Sequence, residues 1–283
     1  MIYVSGAPGN VGTELIRLLR ARGHQVRVLI RKPDPAGTLP LSGVEIALGD
    51  LMDRDSLERS MAGVDRVFLN SAYGPAILAQ KNLVDVAKRA AISRIVKLSW
   101  MGASEHGVAS PLGRWHAEVE SYLKASGVPW TILRASAFMQ NYLNHITMSR
   151  EDTVYNAAGE GKASLVDARD VAAVAARVLS EGGHEGQVYE VTGPEVLSNA
   201  AVAAIIWKVT GRPVNSVDVS LDHLADVYLG AGWPGSRARE LVALQASQAE
   251  GRLAVVTDVV ERVASKKQMT FEEFVRERAS LGK

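Results

Sequence analysis

The sequence predicts an α/β protein, a doubly wound parallel sheet with helices on both faces, followed by a smaller mixed α/β lobe. Three observations carry that expectation. Short apolar runs alternate with helix-period segments through the first half of the chain; the runs are near-continuous Val, Ile and Leu, as strands buried on both faces require; and three glycines punctuate the first strand-to-helix junction.

The elements follow in order. IYVS at 2–5 is the first strand and leads through the glycines into TELIRLLRARG at 13–23, whose apolar residues recur at three- and four-residue intervals. QVRVLI (25–30) and VEIAL (44–48) read as the second and third strands, with DSLERSMAG (55–63) as a short helix after them. DRVFLN (65–70), RIVKLS (94–99) and WTILR (130–134) supply strands four to six, separated by the helical AILAQKNLVDVAKRAA (76–91) and HAEVESYLKASG (116–127). Gly23 and Gly127 stand where helices exit into the next strand. Beyond Arg134 the rhythm changes: ASAFMQNYLNHITMSR (135–150) reads as helix, NAAGEGK as a turn, DARDVAAVAARVLSE as a strong helix, QVYEVT and NSVDVS as added strands, and ELVALQASQAEG and FEEFVRER as helices.

Composition narrows the function classes. The 283 residues, 47% hydrophobic and 22% charged, suit one large domain with an appendage rather than a disordered chain. With 32 basic against 31 acidic residues, scattered rather than clustered, no nucleic-acid footprint is expected. No cysteine is present, which excludes thiolate catalysis, and the six histidines include no pair at helical ligand spacing, so no metal site is expected. The opening MIYVSG leaves no room for a signal peptide, and the apolar runs fall short of a membrane span, so a cytoplasmic protein without a membrane segment is expected, as monomer or homodimer.

The stretch VSGAPGNVGTELI carries the first chemistry. Gly6, Gly9 and Gly12 form G-x-x-G-x-x-G between a strand and a helix: Gly6 for the tight exit, Gly9 for approach of backbone to a diphosphate, and Gly12 for close packing of helix on sheet. Pro8 completes the turn, and free amides at the helix N-terminus would face the phosphates. The second strand ends in Arg31 and Lys32 where an acidic residue would bind ribose hydroxyls, so a 2′-phosphate and hence NADP(H) over NAD(H) is expected. Asp50 and Leu51, after the third strand, offer a seat for the adenine. On this reading residues 1–150 form a Rossmann-type NAD(P)-binding domain, and residues 151–283 a substrate-binding lobe that does not fold by itself.

GAPGNVG at 6–12, HAEVESYLKASGVPWTILRASAFMQN at 116–141, LVDARDVAAVAARVL at 165–179 and VYEVTGPE at 188–195 together resemble the atypical short-chain dehydrogenase/reductase superfamily, in its NmrA-like branch. That branch includes quinone oxidoreductase-like and triphenylmethane reductase-like enzymes and cofactor-sensing regulators. The resemblance implies that Asn10 and Val11 touch the phosphates, that Asn70, Ser71 and Ala72 line the nicotinamide ribose, that Ser99 ends the fifth strand, and that Phe138 and Asn141 wall the nicotinamide. It also exposes a departure: the superfamily's tyrosine and the lysine four residues later correspond to Leu112 and His116 here.

A missing phenol limits the chemistry. Reducing an ordinary ketone produces a strongly basic alkoxide that a positioned acid assists by ~100- to 10,000-fold. A quinone or a conjugated cationic dye gives a delocalised anion or a neutral product, and alignment alone can suffice. An NADPH-dependent reductase of a quinone or similar conjugated acceptor is therefore expected, with His116 in the lysine's role at the nicotinamide ribose and as a proton relay. Ser99 is expected to orient an acceptor oxygen, and Tyr73 is the replacement phenol. Tyr73, Trp100, Met101, Phe138, Met139, Asn141, Tyr142 and Trp233 are the expected walls for a flat acceptor. Asp167, Arg169 and Asp170 read as helix-capping and lobe-tying charges. The alternative is a non-catalytic NAD(P)-sensing regulator of the NmrA type; sugar-nucleotide epimerisation ranks below both.

Overall fold

The computed structural model describes residues 1–32, 42–71, 74–103, 111–142 and 153–281. All six expected strands are present: β1 (Ile2–Val4), β2 (Val26–Ile30), β3 (Glu45–Leu48), β4 (Arg66–Leu69), β5 (Arg94–Trp100) and β6 (Trp130–Ala135). Helices α1 (Asn10–Ala21), α2 (Arg54–Ser60), α3 (Gln80–Arg89) and α4 (Pro111–Ala125) lie between them. Beyond β6 come β7 (Thr153–Asn156), β8 (Lys162–Ala163), α5 (Ala168–Ser180), β9 (Gln187–Val191), β10 (Leu197–Ser198), α6 (Asn199–Thr210) and β11 (Asn215–Asp218). Helices α7 (Leu221–Gly230), α8 (Gly235–Ala249), α9 (Val259–Ala264) and α10 (Phe271–Leu281) complete the chain.

The main sheet has the order β3-β2-β1-β4-β5-β6-β9, and every pairing in it is parallel. Side chains alternate across it as the pleat requires. Ile2, Val4, Val28, Phe68, Val96 and Leu133 face a core shared with α1, α5 and α9. Tyr3, Leu29, Val67, Leu69 and Ile95 face the opposite core under α2, α3 and α4. This is the doubly wound, Rossmann-like arrangement expected from the sequence.

Three expectations are corrected. QVYEVT does not belong to the second lobe: β9 pairs in parallel with β6, Val188 opposite Ile132 and Val191 opposite Ala135. Its preceding helix, α5, packs on α1 beneath the sheet. The chain thus re-enters the main layer after residue 150, covering what would otherwise be an open β6 edge, and a cut at 150 does not divide the structure. The second lobe keeps β7 paired with β11, β8 paired with β10, and the helices α6, α7, α8 and α10. Next, β3 is not buried on both faces, since it is the outermost strand and leaves Ile46 47% and Leu48 58% exposed. Finally, the helix expected over 135–150 is shorter at its start: residues 136 and 137 are not helical, Phe138 bridges to Val166, and helix begins at 139, with 143–150 outside the described residues.

Two boundaries matter for the site. Helix α4 starts five residues earlier than expected, at Pro111, whose missing N–H is no loss in a first turn. Helices α6 and α7 escaped the apolar-period reading, although Ser198 caps the first through the Ala201 amide at 3.2 Å and Ser220 the second through the His223 amide at 3.2 Å. No helix among the described residues is long and apolar enough to cross a membrane.

The tightest joint in the main layer is between β1 and α1. Gly6 adopts φ +70°, and a Cβ on Gly12 would stand 2.4 Å from the Gly6 carbonyl oxygen and 2.9 Å from Ala7 Cα. Both neighbours are backbone, so a side chain there must push the helix away. Gly12→Ala is expected to destabilise the protein by about 1–3 kcal/mol, the usual range for overpacking, read as a lowered urea midpoint with an unchanged slope.

Candidate functional site

A cleft of about 570 Å³ opens at the carboxyl ends of the strands, where the sheet order reverses between β1 and β4. This is the crevice in which open α/β sheets bind ligands. One end is built by the glycine turn: Gly6, Pro8, Gly9, Asn10 and Val11 all line it. Gly9 precedes α1 in extended conformation, no side chain caps the helix, and its first turn holds no acidic residue. The first-turn amides and the positive end of the helix dipole are therefore left for an anion. Gly12 does not line the cleft; it serves the packing described above.

The turn is held in register by Ser5. Its Oγ lies 2.7 Å from the Asn70 carbonyl oxygen and 3.1 Å from that of Phe68, and accepts from the Asn70 amide at 2.9 Å. Asn70 Oδ1 in turn accepts from the Ser71 amide at 2.9 Å, and both residues line the cleft. Ala72 and Tyr73 lie outside the described residues. Arg31 borders the cleft, whereas Lys32 is exposed and does not. Asp50 and Leu51 line it as expected, Asp50 Oδ1 accepting from the Met52 amide at 2.9 Å.

The other end is more apolar. Ser99 and Trp100 at the end of β5, Leu112 and His116 one turn apart on α4, and Phe138 and Asn141 after β6 line it. Leu241 and Leu244 of α8 close it from the second lobe, together with Arg237 and Glu240. Arg237 donates to Asn141 Oδ1 at 2.8 Å and lies 3.6 Å from Glu240 Oε2. Met101, Met139 and Tyr142, expected as acceptor walls, do not line the cleft; they are buried with Phe271 and Phe274 in the core behind it, which Trp100, Leu112 and Leu244 share. Tyr142 donates to Asn199 Oδ1 at 2.9 Å, and burial raises its phenol pKa. Trp233 packs beside Leu224, Tyr228 and Leu241 under the Arg237 guanidinium and is likewise not part of the cleft wall. Aromatic and sulfur side chains are shared between cores and sites, so residue type could not separate them.

Beneath this floor lies a buried polar cluster. Lys97, fully buried in β5, places Nζ 3.0 Å from His116 Nδ1 and donates to the Leu98 carbonyl at 3.1 Å. Ser99 Oγ donates to Glu120 Oε1 at 2.6 Å, and Arg134 grips the same carboxylate through Nε at 3.1 Å and Nη2 at 2.7 Å. Burial pushes the Lys97 ammonium down to about 7, with Glu120 opposing the shift and Arg134 adding to it. Burial, reinforced by the Lys97 charge, holds His116 well below the usual imidazole value, so the ring is neutral. The expectation for Ser99 is corrected as a result: its one proton is committed to Glu120, and it offers the cleft only lone pairs.

Two further cleft residues, Gln80 and Trp100, each carry a buried polar atom without a partner among the described residues, Gln80 Oε1 and Trp100 Nε1. Gln80 Nε2 donates to Ser71 Oγ at 2.8 Å, which fixes the amide. Sequence reading passed over Lys97, Glu120, Arg134 and Gln80. The signal for Lys97 was a lone cation between Val96 and Leu98 in RIVKLS, on the strand face it shares with Ile95 and Ser99. Asp167 behaves as read from the sequence: it caps α5 through the Arg169 amide at 2.8 Å and pairs with the Arg169 guanidinium at 2.6 Å.

The profile of the NmrA-like family matches residues 1–275. The chain belongs to the NmrA-like family. Among its relatives, the NAD(P)H azoreductase of Xenophilus azovorans is 36% identical over 282 residues, covering 99% of this chain and 98% of that protein. Quinone oxidoreductase 2 of Escherichia coli strain K12 is 32% identical over 260 residues, covering 89% and 90%. The structure of an Escherichia coli NADPH-dependent quinone oxidoreductase complexed with NADPH superposes with a TM-score of 0.86 at 28% identity, over 98% of this chain and 99% of that one. The similarity to this NmrA-like fold therefore runs through both the main sheet and the second lobe.

The carboxylate of Glu120 is the hub of the buried cluster. Glu120→Ala strands the Arg134 guanidinium and the Ser99 hydroxyl and is expected to cost about 3–5 kcal/mol, as for other broken buried pairs. Urea unfolding monitored by far-UV circular dichroism measures it.

Proposed function

We propose that this NmrA-like protein is an NADPH-dependent oxidoreductase that reduces a quinone or a similarly conjugated small molecule without the tyrosine–lysine pair usual in its superfamily. The observation that carries the proposal is a cleft that joins an uncapped, acid-free helix start at one end to a wall of Trp100, Leu112, Phe138, Leu241 and Leu244 at the other. The azoreductase and quinone oxidoreductase relatives, each more than 30% identical, support the same reading.

The residues fit a dinucleotide. Gly6 has no Cβ, which would stand 2.8 Å from Asn70 Nδ2, so the backbone can turn tightly against β4 and present the amides of Asn10 and Val11 to a diphosphate. Arg31 would pair with a 2′-phosphate, Asp50 and Leu51 would flank the adenine, and Asn70 and Ser71 would meet the nicotinamide ribose. Buried orphaned polar atoms are costly, about 1–3 kcal/mol each, and Gln80 Oε1 and Trp100 Nε1 are buried without a partner among the described residues, on residues that line the cleft. When bound, the reduced nicotinamide supplies hydride. The chain's own part is to bind, to align and to exclude water.

Leu112 and His116 stand in the places of the tyrosine and lysine, so no phenol of α4 reaches the floor. Trp100, Leu112 and Phe138 form an apolar surface for a flat acceptor, closed by Leu241 and Leu244. An acceptor whose charge is spread over a conjugated system suits such a floor, because little of that charge needs a strong acid.

Purified protein mixed with NADPH and a panel of quinones, triphenylmethane dyes and azo dyes is expected to bleach the reduced-nicotinamide absorbance. Tight NADPH binding without oxidation across the panel would overturn the enzyme and favour a cofactor-sensing regulator. Arg31→Asp is expected to weaken NADPH about tenfold or more, the equivalent of ~1.5–3 kcal/mol for a lost charged hydrogen bond, with NADH little affected. Equal losses for both nucleotides would remove the 2′-phosphate assignment.

A further inference from the structure

We propose that Lys97 is a positioning residue for His116: sealed behind the ring, its Nζ donates to Nδ1, fixes the imidazole as the Nε2–H tautomer, and thereby presents a proton donor to an acceptor that becomes an anion in the cleft. The nature of that acceptor rests on the reductase reading; the tautomer does not.

The geometry sets the direction of the bond. Nζ has two acceptors within reach, the Leu98 carbonyl at 3.1 Å and His116 Nδ1 at 3.0 Å. An ammonium has donors only, and a neutral amine still has two protons for the same two acceptors. As the ammonium, Nζ donates to Nδ1, which must then be bare, and the ring proton sits on Nε2; the neutral amine also carries a lone pair and can accept from Nδ1–H once that proton has moved. His116 lines the cleft, and Nε2 takes no partner among the described residues. The neighbouring candidates are disqualified: Ser99 has given its proton to Glu120, Leu112 has none, and the indole N–H of Trp100 can hold an oxygen but does not exchange its proton on a catalytic timescale.

The surrounding charges explain why Lys97 can release a proton. From α4 it faces His116 and Glu120, from β6 Arg134, and the far wall of the cleft carries Arg237 and Glu240 of α8. Glu120 is already held by Arg134 and Ser99, so no carboxylate among the described residues sits within ion-pair reach of Nζ. Burial without a paired carboxylate is what brings the ammonium to about 7.

The proton step balances. The acceptor gains hydride and both its electrons from the reduced nicotinamide, which is oxidised, and becomes an anion. The Nε2 proton moves to the anion while Nδ1 takes one from the Nζ ammonium, leaving a neutral amine and a neutral ring. Nδ1 then returns its proton to Nζ as Nε2 takes another from water.

The primary test needs neither cofactor nor acceptor. In histidine-¹⁵N-labelled protein, long-range ¹H–¹⁵N correlations at pH 6, where Lys97 is an ammonium, are expected to show His116 as the Nε2–H tautomer, with shifts that move around pH 7 as Lys97 titrates. His116→Gln identifies the signal by its loss. In Lys97→Met, close in volume and uncharged, the lock and the inflection near pH 7 are expected to vanish. An Nδ1–H tautomer in the parent protein at pH 6, or an unchanged spectrum in Lys97→Met, would overturn the proposal. Lys97→Gln replaces the methionine variant if that one does not fold, and is expected to lose the inflection.

The kinetic arm separates the two readings. Because deprotonated Nζ cannot feed the relay, kcat is expected to fall as pH rises through about 7 in the parent protein. In Lys97→Met kcat is expected to drop by roughly 100-fold, the scale of a lost general acid, with a flat profile and an unchanged KM for NADPH. An unaltered pH profile would contradict the relay. A locked tautomer in a protein that oxidises no NADPH would uphold the lock and sink the reductase.

Discussion

The contact on which the rest of the molecule depends is the approach of Gly12 to the Gly6 carbonyl, where a methyl group would stand 2.4 Å from backbone oxygen. That contact seats the start of α1 directly over the end of β1. Because β1 is also the point at which the strand order turns, the helix start, the β4 end and the β5 end converge on one crevice. Ser5 reinforces the arrangement by tying the end of β1 to Asn70 from both its hydroxyl faces. A helix whose first turn has no side-chain cap is ordinarily a defect. Here it faces the cleft, where an anionic ligand can supply what the side chain does not.

The opposite end of the crevice is governed by a different constraint, the accommodation of charge in a dry interior. Lys97, Glu120 and Arg134 sit in the layer between β5, β6 and α4, and each is almost wholly covered or nearly so. The carboxylate is satisfied three times over by Arg134 and Ser99, which leaves Lys97 to a carbonyl and an imidazole. Such an arrangement is a poor source of stability, since well-packed apolar groups generally do as well or better. It does hold one histidine, His116, against a buried amine at the edge of the cleft.

The sheet was legible in the sequence because parallel strands buried on both faces leave unbroken Val/Ile/Leu runs, and the glycine turn because its φ and its close approach admit no other residue. β9 was legible as a strand, but its place in the main sheet was not, since that is decided by pairing with β6, 56 residues earlier, and leaves no local mark. The residues read as cofactor contacts largely line the cleft, as turns at strand ends are fixed by the fold. The acceptor walls did not: Met139 and Tyr142 occupy the core instead, because a helix beginning at 139 turns them away from the crevice that Phe138 and Asn141 reach. Lys97 was overlooked because a long side chain in a strand reads as a snorkelling surface residue, whereas here α4 covers it completely.

In the proposed function a pyridine dinucleotide lies across the carboxyl edge of the sheet with its diphosphate on the first turn of α1. Amide hydrogen exchange of residues 9 to 12, measured with and without saturating NADPH, tests it most directly. The account predicts that NADPH slows exchange there more than anywhere else in the main sheet layer; exchange at those amides that NADPH leaves unchanged would contradict it.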